Sequence, residues 1–197
     1  FQPEDHNDGP APYFREYLRD NFLKAWCEKH INPETKKPYN IYKDGLRIYT
    51  TVDSRMQKYA EEAVEEHMHN LQIIFNKDLK QKKNYPFAWN VSKDEINGIM
   101  NASMKRSDRY RELKKQGLTH ENIIATFHKP STMRVYSLRG EVDTVLTPYD
   151  SIKYYKSFLQ TGFMAMEPQT GYVKAWVGGI NHKHYKYDHV KVSKRQV

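Results

Sequence analysis

The 197-residue chain contains one cysteine, Cys27, which excludes an internal disulfide and any Cys-x-x-Cys metal or redox pair. Cys27 follows Trp26 in a helical pattern and reads as a buried thiol, the default role of a solitary cysteine. No apolar run approaches ~18 residues, so no segment reads as a membrane span or a signal peptide, and any anchor is expected upstream of Phe1. Acid is in short supply, with 24 Asp and Glu against 32 Lys and Arg, a formal net charge of +8. Hydrophobic residues make up 38%, enough for a real but modest core in one domain or one and a half.

The positive balance raises nucleic-acid binding as a function class, because cations neutralise phosphates. Lys and Arg gather in residues 77–83, 105–115 and 191–195. In the middle cluster, however, Asp108 and Glu112 interrupt the charge, and Tyr110 and Leu113 fall at i and i+3 as a docking stripe. That pattern favours a solvated helix face over a nucleic-acid surface. Two metal-like groupings are weighed in the same way. His182, His184, Asp188 and His189 lie close together, but their spacing fits no tight ligand set, and they read as a loop. His120-Glu-Asn-Ile-Ile124 lacks a second histidine at i+4 and reads as a helix start. No metal, cofactor or nucleic acid is expected.

What is present begins at Gly45-Leu-Arg-Ile-Tyr-Thr-Thr-Val-Asp53. Leu46, Ile48, Thr50 and Val52 alternate with Arg47, Tyr49 and Thr51, the period of a half-buried strand. Ser54 and Gln57 have capping-box spacing, and Met56, Ala60, Ala63, Val64, His67 and Leu71 predict the buried face of a helix. Upstream, Pro12 opens a helix to about His30 with the stripe Phe14, Tyr17, Leu18, Phe22, Ala25 and Trp26. The turn-rich run Asn32 to Tyr39 follows.

Further on, Ser92 with Glu95 predicts a capping box, Gly117 a helix end, and Thr119 the start of a helix through Ile123, Ile124 and Phe127. Met133, Val135 and Ser137 are expected to face Val142, Thr144 and Leu146 in a hairpin turning at Arg139-Gly140. Thr147 and Pro148 predict the cap and first residue of a helix carrying Tyr149, Ile152, Tyr155 and Leu159, closed by Gly162. A last hairpin pairs Phe163–Glu167 with Tyr172–Gly178 across Pro168-Gln-Thr-Gly171. Its first arm is apolar nearly throughout, which predicts a central strand buried on both faces, with Val173 and Trp176 in the core.

The wording of Gly45 to Val64 resembles the entry into the transpeptidase domain of class A penicillin-binding proteins, and Phe163 to Gly179 resembles that family's next core hairpin. Lys105 to Tyr110 and Thr147 to Tyr155 resemble Bacteroidetes-type members. The aromatic helix after Ala11-Pro-Tyr-Phe14 resembles the family's interdomain linker. The family's serine nucleophile belongs to a Ser-x-x-Lys tetrad supported by Ser-x-Asn and Lys-Thr-Gly; none of the three occurs here. Lys194-Arg-Gln-Val197 resembles the approach to that nucleophile, which is expected beyond Val197. Glu4-Asp-His-Asn-Asp-Gly9 is superficially like the motif of the glycosyltransferase glutamate but lacks its aromatic spacing, and reads as a polar linker.

The resemblance implies an α+β fold. It comprises a partial antiparallel sheet of a transpeptidase domain, penicillin-binding and beta-lactamase-like, with packed helices and an inserted, mainly helical module with a β-hairpin. The implied divisions are residues 1–44 as linker, 45–69 as first strand and helix, 70–160 as accessory insertion, and 161–197 as core hairpin. Ile48 and Val173 are expected in one sheet, whose edge needs a cover. The chain itself is expected to be non-catalytic, the opening part of a membrane-anchored parent that polymerises and cross-links peptidoglycan on the periplasmic side of the inner membrane. Its implied partners are the rest of that parent and, through residues 70–160 with Tyr85, Phe87 and Trp89, peptidoglycan or envelope regulatory proteins. An interaction module and a basic nucleic-acid binder are the other classes considered.

Overall fold

The computed structural model describes residues 9–191. The elements are α1 (Pro12–Leu18), a π turn (Arg19–Leu23), α2 (Lys24–Lys29), α3 (Ser54–Leu79), α4 (Lys93–Arg106), α5 (Asp108–Lys115), α6 (His120–Phe127), β1 (Ser131–Ser137), β2 (Gly140–Leu146), α7 (Pro148–Lys156), β3 (Phe163–Met166) and β4 (Val173–Val177). The fold is α+β, with two small antiparallel sheets, β1-β2 and β3-β4. Two compact units form: one from residues up to Met68 and from Gln160 on, the other from His69 to Leu159.

The first unit is built on α3. Ala60 on the helix is buried with Ala175 and Val177 of β4, and Val64 and Ala165 pack beside them. Small side chains on both surfaces let the helix lie close on the hairpin. The β3-β4 turn has the expected chemistry: Gly171 takes φ +72, its N–H donates to the Glu167 carbonyl, and the Glu167 N–H donates to the Tyr172 carbonyl. β3 is not the doubly buried strand its composition predicts. Phe163, Met164 and Met166 are all exposed, because among the described residues β3 pairs only with β4 and α3 covers one face of the hairpin at Ala165.

The predicted strand over residues 45–53 is corrected. This stretch forms no strand and joins neither sheet of the described residues. Only its end is tied to β4, by the Asp53 N–H to the Lys174 carbonyl (3.0 Å) and the Thr51 hydroxyl to the Val173 carbonyl (2.8 Å). Ile48 therefore does not share a sheet with Val173. The alternation still has a use: Ile48, Thr50 and Val52 line a cleft of about 460 Å³ with Phe14, Leu18 and Leu23.

The cap of α3 also differs from expectation. Asp53 Oδ1 accepts from the N–H groups of Arg55 (2.9 Å) and Met56 (3.1 Å), so Ser54 is the first helical residue and Gln57 is released from capping. The Met56 and Arg55 donors hold the Asp53 carboxyl below the ordinary carboxylate range. The buried line of α3 runs through Gln57, Ala60, Met68 and Gln72, while Met56, Ala63, His67 and Leu71 are exposed.

In the aromatic helix, the Lys24 N–H donates to the Arg19 carbonyl, five residues back, which inserts one extra residue into the turn. Each residue turns an α-helix by about 100°, so the inward face after the π turn passes to Leu23 and buried Cys27, and Phe22, Ala25 and Trp26 face outward. The Asn21 side chain donates to the Tyr17 carbonyl (2.8 Å) within this turn.

The second unit closes around Met104, Tyr110, Ile123 and Phe127, with Leu113, Leu118, Tyr149 and Ile152 packed against them. Its punctuation follows the sequence closely. Ser92 and Glu95 form a reciprocal capping box, and Ser107, Thr119 and Thr147 cap α5, α6 and α7. Gly117 at φ +85 ends α5, with its N–H on the Lys114 carbonyl and the Leu118 N–H on the Leu113 carbonyl, the two bonds of a Schellman motif. The β1-β2 hairpin forms, but its register is shifted by two from the expected one: Met133 pairs with Thr144, Val135 with Val142 and Ser137 with Gly140, where a turn at Arg139-Gly140 would set them opposite Leu146, Thr144 and Val142. The two turn residues are thus Leu138 and Arg139. α7 stops at Lys156 with Ser157 as its cap, so Gly162 does not close it. Gly162 instead lies against the His189 backbone.

Candidate functional site

In the first unit, the buried polar groups hold the fold together. Gln57 is wholly buried. Its Oε1 accepts from the Trp176 N–H (2.7 Å), and its Nε2 donates to the Trp176 carbonyl (2.9 Å) and to Glu61 Oε1 (2.8 Å). The side-chain amide thus pairs with β4 as a neighbouring strand would. Glu61 Oε1 also accepts from the Ala11 N–H (2.9 Å), where Ala11 takes φ 52 just before α1. The Trp176 ring receives Tyr17 in a stack, centroids 5.0 Å apart, and Phe14 at 5.9 Å.

The four residues weighed as metal ligands are distributed through the loop after β4. Asp188 Oδ2 accepts from Trp176 Nε1 (2.9 Å), and its Oδ1 accepts from the Val190 N–H (2.9 Å). The His189 N–H donates to the Gly178 carbonyl, and the His184 N–H donates to Asn181 Oδ1. His182 packs edge-on to Tyr13, centroids 4.8 Å apart. Burial, then the nearby Lys186 ammonium, lowers its pKa below the ordinary histidine value. Among the described residues no three His, Cys, Asp or Glu side chains gather as a metal site. Gly178 and Gly179 are required here, because a methyl group on either would overlap Tyr13.

Among the described residues no serine hydroxyl bonds a lysine or histidine. Ser103, Ser107, Ser137, Ser151 and Ser157 donate to local backbone carbonyls, and Ser92 bonds Glu95. A serine nucleophile needs an adjacent base, and these arrangements supply none. Lys194 to Val197, which resemble the approach to a nucleophile, and Glu4 to Asp8 lie outside the described residues.

The second unit carries a cleft of about 440 Å³ between the end of α3, the β1-β2 turn and α7. Gln72, almost fully buried, organises its floor. Its Oε1 accepts from the Leu159 N–H (2.7 Å), and its Nε2 donates to the Ser157 carbonyl (2.9 Å) and Asn76 Oδ1 (3.0 Å). The Tyr85 hydroxyl also donates to Asn76 Oδ1 (2.9 Å), and the Tyr154 hydroxyl donates to the Tyr136 carbonyl (2.7 Å). Burial, then neighbouring Tyr155, raises the Tyr154 pKa above the ordinary tyrosine value, which keeps it a donor. Lys80, Arg139 and Lys153 stand at the rim. Sequence reading places Lys80 in a charge run and Arg139 in a turn but does not join them with Lys153, because only the hairpin's return brings the three together. Trp89, considered as an interaction residue, is 81% exposed, whereas Tyr110 and Leu113 of the basic segment belong to the core.

Searches of curated proteins and of solved structures each give no match. Residues 82–159, lying within the second unit, match the family model described as penicillin-binding protein middle domain, which supports a penicillin-binding protein family and with it a role in cell-wall synthesis.

Proposed function

We propose that this chain is the opening part of the transpeptidase region of a class A penicillin-binding protein, with an accessory unit carried between the first helix and the core hairpin. The observation that carries the reading is the middle-domain match over residues 82–159. It is flanked by two stretches whose wording resembles the transpeptidase core and which fold together here, α3 resting on the β3-β4 hairpin. In this reading the chain is catalytically silent, and acyl transfer belongs to a serine encoded after Val197. The parent polymerises and cross-links peptidoglycan on the periplasmic face of the inner membrane, held by an upstream anchor.

Two measurements test it. The coding sequence after Val197 is expected to supply Ser-x-x-Lys within about ten residues, and its absence would remove the assignment. A fluorescent penicillin is expected to leave the 197-residue chain unlabelled and to label covalently a chain extended through that motif, with labelling lost on serine-to-alanine substitution. Labelling of the shorter chain would overturn the proposed silence.

A further inference from the structure

We infer that the cleft of the second unit is a docking site for an acidic, extended peptide segment of a protein partner. This goes beyond the cell-wall reading and does not depend on it. The cleft is walled by Tyr85, Pro86, Leu138 and Phe158. Most of its neutral side-chain donors are already engaged: the Tyr85 hydroxyl donates to Asn76 Oδ1, Ser137 and Ser157 donate to backbone carbonyls, and Tyr154 donates to the Tyr136 carbonyl. The one carboxylate in the lining, Asp150, accepts from the Thr147 hydroxyl (2.6 Å) at the start of α7.

Beside the Asn76 amide nitrogen, three side-chain donors are left over, and these three are cationic. Among the described residues the Lys80 ammonium, the Arg139 guanidinium and the Lys153 ammonium have no hydrogen-bond or ion-pair partner. The ligand this selects is anionic at several points and apolar between them. A neutral glycan is disfavoured, because it would leave the three cations without a counter-charge. A peptide that alternates carboxylates with aliphatic or aromatic side chains meets both demands. Its carboxylates pair with the rim, where Arg139 offers a bidentate fork, and its apolar side chains fill the walls.

The test uses the full 197-residue chain and a fluorescein-labelled octapeptide, Glu-Glu-Leu-Phe-Glu-Asp-Leu-Glu, read by anisotropy. Lys153→Glu and Arg139→Glu are each expected to weaken binding about tenfold or more. Lys115→Glu, on the exposed end of α5 away from the cleft lining, is expected to leave it unchanged. The Gln and Asn counterpart of the peptide is expected to bind at least about tenfold more weakly, and added salt to loosen the acidic complex. Circular dichroism confirms that each variant is folded. The inference is overturned if the acidic peptide does not bind, if the neutral peptide binds equally, if charge reversal at the rim has no effect, or if a neutral N-acetylglucosamine oligomer displaces the peptide.

Discussion

Two glutamines on α3 do work that a hydrophobicity pattern assigns to apolar side chains. Gln57 pairs with both backbone groups of Trp176, and Gln72 pairs with the Ser157 carbonyl and the Leu159 N–H. A buried backbone group stripped of its partner costs about 1–3 kcal/mol, so Gln57→Leu, which leaves two such groups, is expected to lower stability by about 2–4 kcal/mol in urea unfolding. A loss within a few tenths would mean that the amide merely fills space. His182 offers a pH-dependent counterpart. Burial lowers its folded-state pKa, so the unfolded chain binds the proton more readily. Its contribution is therefore intact above the ordinary histidine value of about 6.5 and declines as pH falls from there toward the lowered folded value. Thermal unfolding of His182→Gln is expected to lose less Tm than the parent between neutral and mildly acidic pH; an equal or larger loss would count against this role.

At the level of elements, the extra residue of the π turn decides which way α2 faces. Deleting Asn21 removes both that residue and the side chain that satisfies the Tyr17 carbonyl, and a regular helix then keeps Cys27 inward. Inserting one alanine after Asn21 turns the downstream face by about 100°. The deletion is expected to leave Cys27 slow toward a thiol reagent, the insertion to make it fast; equal rates would show that the turn does not set the face. This turn also marks the limit of what was legible in the sequence. Caps and turns were readable from single residues, as at Ser92 with Glu95, Gly117, Thr147 with Pro148 and Gly171, because their chemistry is local. The stripes were less so. Hydropathy places Met56 and Leu71 inside and glutamine outside, and it contains no signal for a π turn beyond an asparagine in mid-helix. Residues 45–53 alternate as a strand does, but a strand also needs a partner along its length, and alternation carries no information about that. The rim cations Lys80, Arg139 and Lys153 are joined only by tertiary structure, which no local pattern encodes.

For the molecule as a whole, the two compact units have apolar centres that share no residue: Met104, Tyr110, Ile123 and Phe127 in one, Ala60, Ala175 and Val177 in the other. α3 runs through both, yet it is pinned separately in each, by Gln57 to Trp176 and by Gln72 to Ser157 and Leu159. Phe127 is 1% exposed, and truncating a buried phenylalanine to alanine costs about 3–5 kcal/mol. If each centre stabilises its own unit, that loss stays local. Hydrogen exchange of Phe127→Ala is expected to show faster exchange across α4, α5, α6 and α7, while the β3-β4 amides and the Trp176 N–H held by Gln57 keep their protection. Equal acceleration in both units would show instead that α3 couples them into one cooperative structure. In that case a ligand bound at the Lys80, Arg139 and Lys153 rim would also stabilise the β3-β4 hairpin.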